Sequence, residues 1–192
     1  MPDFPWWFWI VPALLPCWAV GAYNRLVRLR ARVRKTFAAL DEQLMRQLVW
    51  VQSCLPASMR DGAQTAPAEL HDRVTVAWAR LHAASDQFAA ALAHARPHVA
   101  DVSTMAGVVL AHEAMRNAWA SALAQAVPAD ATPSADRLQA RWLRLLHQAW
   151  PLRGAFNEAA QAYNRAIAQF PASVVARLAG FRPAGAAARL AE

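Results

Sequence analysis

A chain of 192 residues can bury a full core in one domain even when its first two dozen residues serve another purpose. Alanine is abundant, glycine is scarce at 6 residues, and no alternating apolar and polar run of useful length occurs; this excludes a sheet-based fold and favours helix, where alanine loses no side-chain entropy. Two cysteines, Cys17 and Cys54, exclude a disulfide framework. The formal charge of +7 is concentrated, with basic residues dense between Arg25 and Lys35 and no acid from there until Asp41.

Phe4 to Ala22 carries no charge. As a helix it spans about 28 Å, against roughly 30 Å of bilayer hydrocarbon. Trp6, Trp7 and Trp9 at one end, with Trp18 and Tyr23 at the other, fit the two interfacial belts. Pro5 suits a first turn, whereas Pro12 and Pro16 predict kinks that membrane helices tolerate. Asp3 precedes the segment, and Arg25, Arg28, Arg30, Arg32, Arg34 and Lys35 follow it. The positive-inside rule then places the N-terminus outside and the remaining chain in the cytoplasm. A cleaved signal peptide would have a basic leading region, which is missing here, although Val20-Gly21-Ala22 would serve as a cleavage site. A lipoprotein needs a small residue where Pro16 precedes Cys17, and the aromatic density of Phe4 to Trp9 argues against a buried soluble helix. Residues 1–22 therefore read as a single transmembrane anchor.

From Leu26 an apolar seam recurs at Leu29, Val33, Phe37, Leu40, Leu44, Leu48, Val51 and Leu55. This eleven-residue repeat keeps one face of a nearly straight helix buried. The seam begins directly after the anchor, so one helix is predicted to run from the membrane into the domain until Pro56. Cys17 and Cys54 on such a helix lie about 55 Å apart and cannot pair. A second helix is predicted from Pro67 and Glu69 to Pro97, with Leu70, Val74, Ala77, Leu81, Ala84, Phe88, Ala91 and Ala95 on its inner face. Asp101 is the expected N-cap of a third, which buries Met105, Val108, His112, Met115, Trp119 and Ala122 and ends before Pro128. Thr132 and Pro133 open a fourth, kinked at Pro151 and ended by Pro171. Its inner face is Leu138, Trp142, Leu145, Ala149, Leu152, Phe156, Tyr163, Ile167 and Phe170. The fold class is therefore all-α: a transmembrane helix continuing into an antiparallel, up-and-down four-helix bundle over residues 23–170. The fourth helix returns toward the membrane, and residues 171–192 form a tail near it. There Val174, Val175, Leu178 and Phe181 stand beside Arg177 and Arg182, which suits either an anionic interface or a cap over the bundle end.

Two blocks of the sequence resemble the LemA family. The first is Tyr23-Asn24-Arg25-Leu26-Val27-Arg28-Leu29-Arg30 with Val33, continued by Leu40-Asp41-Glu42-Gln43-Leu44. The second is Phe156-Asn157-Glu158-Ala159, Tyr163-Asn164-Arg165-Ala166-Ile167, Phe170-Pro171 and Gly180-Phe181-Arg182-Pro183. The resemblance implies a bacterial single-pass membrane protein with a cytoplasmic antiparallel bundle and no established enzymatic activity. It marks Tyr23, Asn24, Leu26, Asp41, Phe156, Asn157, Tyr163, Asn164, Phe170, Pro171, Phe181 and Pro183 as structural or interaction residues. The chain departs from the family pattern at Ala31 and over Met45 to Trp50, and lacks an Asn-rich segment before the last helix, as a divergent member would.

A di-iron bundle needs Glu-x-x-His pairs, and none of the 13 acidic residues has a histidine three positions on. His112-Glu113 lacks the second histidine of a zinc protease motif, and Pro97 interrupts the pair His94 and His98. His112 itself reads as a core histidine. No phosphate-binding glycine loop or nucleophile elbow occurs. No catalytic residue, metal, cofactor or small-molecule substrate is assigned. Asn24 and Asn164, in matching Tyr-Asn-Arg triplets, suit a polar helix contact or a shared patch at the membrane. The expected partners are the lipid bilayer and other membrane proteins. The first functional class is a membrane-tethered interaction scaffold that uses Trp50, Trp78, Trp119, Trp142 and Trp150. The second is an anionic-lipid surface module that uses the basic patch and the tail. Nucleic-acid binding is not expected, because the basic patch lies close to the bilayer and no dense positive stripe continues beyond it.

Overall fold

The computed structural model describes residues 7–56, 73–99, 101–126, 132–170, 172–185 and 187. Among them the chain is all-helical: α1 (Trp7–Cys54), α2 (Arg73–Ala95), α3 (Val102–Ala126), α4 (Thr132–Ala168) and the short α5 (Ala172–Leu178). Phe4 to Trp6, the expected second-helix start at Pro67 to Leu70, the turn before Thr132, and Pro171 lie outside the described residues.

α1 runs unbroken over 48 residues, about 72 Å. Its C-terminus closes when the Ser53 hydroxyl donates to the Trp50 carbonyl (2.6 Å) and Leu55 N–H to Gln52 (3.2 Å), just before Pro56. Cys17 and Cys54 both lie on this helix as free thiols, and burial pushes the Cys54 thiol up. α2 ends at Ala95, just ahead of the expected stop at Pro97. Asp101 caps α3, its Oδ1 accepting Ser103 N–H (3.1 Å) and its Oδ2 the Thr104 hydroxyl (3.2 Å). α4 passes through Pro151 without interruption. α5 ends in a Schellman turn. Phe181 N–H reaches the Ala176 carbonyl (2.9 Å) and Gly180 N–H that of Arg177 (3.3 Å), and Gly180 takes the left-handed φ of 69° that the turn requires.

Cross-helix contacts set the direction of each helix. Moving up α1, Leu26 clusters with Ala166, Phe37 meets Phe156 (5.8 Å), Gln43 bonds Gln148 (3.1 Å) and Trp50 stacks on Trp142 (6.2 Å). The α4 numbers fall as the α1 numbers rise, so these helices are antiparallel. Asp41 of α1 pairs with Arg96 at the end of α2 (3.0 Å). Further along, Gln47 bonds His112 and Trp50 meets Trp119, both on α3. α2 therefore runs down and α3 up, which gives the up-down-up-down order.

The α1 seam is buried from Leu26 to Leu55, with Leu29 half-buried. All six residues expected inside on α3 are buried. α2 departs from its expected face: Ala77, Leu81, Ser85, Phe88, Leu92 and Ala95 are buried, while Val74, Ala84 and Ala91 are half-buried. Ser85 is tolerated because its hydroxyl returns to the Leu81 carbonyl (2.8 Å). Phe170, expected inside on α4, is 83% exposed. α4 ends at Ala168, and the core at that level is closed by Ala166, Leu26 and Ala176 instead.

No helix among the described residues is long and apolar enough to cross a membrane. Ahead of the bundle, Leu14, Trp18 and Val20 of α1 are nonetheless exposed.

Candidate functional site at the basic end of the bundle

The residues singled out by their sequence pattern converge on one end of the bundle, where α1 enters, α4 returns and the tail folds back. Arg25, Arg28, Arg30, Arg32, Arg34 and Lys35 are all exposed there. With roughly 100° per residue, Arg30 and Arg34 fall to one side of the Leu26–Val33–Phe37 seam, and Arg25, Arg28, Arg32 and Lys35 to the other. Asp41 lies further along α1, half-buried beside Arg96.

The second block builds a strap. Asn164 of α4 holds Ala184 through both backbone groups: its Oδ1 accepts Ala184 N–H (2.7 Å) and its Nδ2 donates to Ala184 C=O (2.8 Å). Asn157 Oδ1 accepts Ala187 N–H (2.8 Å), and the Tyr163 hydroxyl donates to the Arg182 carbonyl (2.9 Å). Burial pushes the Tyr163 phenol up, opposed by the nearby Arg30 cation. Phe181 meets the Tyr23 ring edge-on (5.9 Å) and lies 5.8 Å beneath the Arg30 guanidinium. The tail is thus a cap over the bundle end, the second of the two roles its composition suited. Phe170 (83% exposed), Leu178 (85%) and Val174 remain open to the outside. Asn164 does not contact Asn24 as a helix-to-helix pair. Its Oδ1 and its Nδ2 both bond to the strap, and Asn24 is exposed.

Gly185 completes the strap by close approach. A Cβ there would lie 2.9 Å from the Met105 Cβ, 2.9 Å from the Val102 Cα and 3.1 Å from the Asp101 carbonyl, two of them main-chain atoms that cannot swing aside. Gly185→Ala is therefore expected to lift the strap from the start of α3, and Asn164→Ala to free it from α4 at a cost of about 1–3 kcal/mol. In both variants the Ala184 and Ala187 amides should exchange with solvent faster while those of α2 stay protected. Unchanged exchange at Ala184 in Asn164→Ala would show that these bonds do not hold the strap.

Between α1, the α2–α3 turn, Tyr163 and the strap lies a cleft of about 380 Å³. Arg30, Arg34 and Arg182 line it together with His98, against apolar walls that include Val33 and Val99. Asp101 is the one acid among its lining residues, and both its oxygens are taken up capping α3, which holds its carboxyl below the usual range. No carboxylate pairs with Arg30, Arg34 or Arg182 among the described residues. A second cleft, about 400 Å³ and lined by Tyr23, Val27, Ala31 and Phe181, shares Arg30 and Arg34 with the first.

Elsewhere the polar residues serve packing. His112 is 1% exposed; its Nε2–H donates to Gln47 Oε1 (3.1 Å), and Gln47 and Gln43 both donate to the Leu145 carbonyl (2.9 and 3.4 Å). Periodicity did not find this network, because the α1 seam runs through apolar residues alone and leaves out Gln43 and Gln47. His94 and His98 stack at 5.0 Å, and His98 Nδ1–H donates to the His94 carbonyl (3.2 Å). No group of three potential metal ligands occurs among the described residues. Of the tryptophans that the scaffold reading gives to partners, Trp50, Trp119 and Trp142 pack on one another across α1, α3 and α4; Trp119 and Trp142 stand on the inner faces expected of their helices, and Trp50 joins them from outside the α1 seam. Trp78 is half-buried against the core, and only Trp150 of the five is exposed, at 57%.

Comparison with protein-family models, characterised proteins and solved structures gives no match.

Proposed function

We propose that the chain is a single-pass, membrane-anchored helical bundle without catalytic activity, a divergent relative of the LemA proteins that serves as a tethered interaction scaffold. The observation that carries this reading is the course of α1. An uncharged arm with Leu14, Trp18 and Val20 exposed continues without a break into the buried seam that starts at Leu26. Exposed apolar side chains around a charge-free helix are stabilised by hydrocarbon, and indoles favour its interface. The basic collar that follows orients the bundle toward the cytoplasm. For partners, Leu143, His147 and Trp150 form an exposed ridge at i, i+4 and i+7 on α4.

Cys17 supplies the test of anchoring. It is exposed on the arm, so an aqueous environment would leave it reactive. In Cys54→Ser protein in intact membranes, Cys17 is expected to resist a charged maleimide and to react once detergent is added. Rapid labelling in intact membranes would sink the anchor. Crosslinking followed by pull-down tests the scaffold, with recovery expected to fall in Trp150→Ala.

A second reading, an anionic-lipid surface module, is favoured by one further observation. Phe170, Val174 and Leu178 are exposed at the same end as the basic collar, an arrangement suited to an interfacial contact. Residues 23–192 are then expected to bind vesicles only when anionic lipid is present, and to be released by salt. Equal binding to neutral vesicles would remove this reading.

A further inference from the structure

The geometry points to the Arg30–Arg34–Arg182 cleft as a binding site for a phosphoryl group. Three guanidiniums with no carboxylate partner among the described residues converge on a cavity of about 380 Å³. Guanidinium forks match phosphate oxygens in pairs and are weakly hydrated, so they lose less on binding than ammonium groups do. They come from two parts of the chain, α1 and the strap, and the bonds of Tyr163 and Asn164 to Arg182 and Ala184 hold those parts together. Arg30 is further placed by the Phe181 ring beneath it. The only carboxylate among the described residues that line the cleft is occupied by the α3 N-terminus, so it does not neutralise the arginines through a direct bond. Similar charges at Arg25, Arg28, Arg32 and Lys35 sit on the other side of α1.

The ligand has two candidate sources. Arg30 and Arg34 lie about 12 and 18 Å along the helix beyond Ala22, past a headgroup layer of roughly 5–7 Å. A lipid must therefore present a projecting phosphomonoester. The second cleft, lined by Tyr23, Val27 and Phe181, gives such a headgroup an apolar path from the arm to the same arginines. A soluble phosphorylated molecule reaches the cleft from the water side. Only the lipid source rests on the membrane reading above.

The experiment uses the full chain in phosphatidylcholine nanodiscs, titrated with inorganic phosphate at constant ionic strength and followed by phosphorus NMR. Wild type is expected to bind saturably. Arg34→Gln with Arg182→Gln should weaken binding by about a hundredfold, at roughly tenfold per guanidinium. Arg25→Gln with Arg32→Gln removes the same charge outside the cleft and should leave the affinity within about twofold. Matching thermal unfolding of the two double variants shows that both are folded. In a second arm, part of the phosphatidylcholine is replaced by phosphatidylinositol monophosphate, and retained lipid is counted by native mass spectrometry. Retention by wild type and not by the cleft variant assigns the site to a lipid headgroup. Phosphate binding without lipid retention assigns it to a soluble ligand. Absence of saturable binding in both arms, or equal weakening by the two double variants, overturns the proposal. Because phosphate binding does not require Cys17 to be shielded, failure of the anchor and failure of the cleft give different results.

Discussion

Trp119→Ala is expected to destabilise the bundle by about 3–5 kcal/mol, the usual range for losing a large buried ring. The side chain is 1% exposed and lies 4.9 Å from the Trp50 ring and 5.6 Å from that of Trp142. Its removal opens a cavity where α1, α3 and α4 meet, and two rings cannot collapse into the space of three. The indole N–H has no hydrogen-bond partner among the described residues. A buried donor without a partner is itself unfavourable, by about 1–3 kcal/mol. Trp119→Phe keeps most of the ring contact and deletes that donor, so its net cost should be less than about 1.5 kcal/mol. Denaturant unfolding of the three proteins decides the matter. A phenylalanine variant as unstable as the alanine variant would mean that the N–H is satisfied and holds the cluster in place.

Acidification is the second large effect, and it traces to His112. Burial, helped by the Arg116 and Arg153 cations, lowers its pKa from 6.5 to about 4. The ring is walled by Phe88 at 5.2 Å and bonded to Gln47. In the unfolded chain it titrates near 6.5, so between pH 6.5 and about 4 the unfolded state binds a proton that the folded state refuses. The contribution of this group is therefore fully present above pH 6.5 and is lost as the pH falls to about 4, a swing of about 3 kcal/mol. His112→Gln retains a donor for Gln47 and cannot titrate. Subtracting its unfolding free energy from that of wild type across this range isolates the His112 share from the other acids and histidines. A flat difference would show that the ring is already protonated, or wet, in the folded protein.

The helical class and most of the core are written locally. The eleven-residue apolar repeat from Leu26 to Leu55, apart from half-buried Leu29, and the face from Met105 to Ala122 are buried as read, because a helical period places such residues on one side whatever they pack against. Asp101 as a cap and Pro56 and Pro97 as stops are equally local, since they act through their own backbone. The charge collar was legible for the same reason: it is a run in the chain.

What the tertiary structure alone decided depends on residues distant in sequence. Gln43 and Gln47 are buried because a carbonyl of α4 and a histidine of α3 come within reach, and polarity by itself predicted the opposite. Trp119 and Trp142 stand on apolar faces that periodicity picks out, whereas Trp50 lies outside the α1 seam and joins them only where three helices meet. Phe170 follows the apolar pattern but falls one turn past the last core layer, where α5 and Leu26 already fill the space. The cleft is the clearest case. Arg30 and Arg34 are a helical repeat, whereas Arg182 joins them only because Asn157, Asn164 and Gly185 fold the tail back across the bundle end. Periodicity determines which side of a helix is wet; contacts between helices determine which wet side chains share a site.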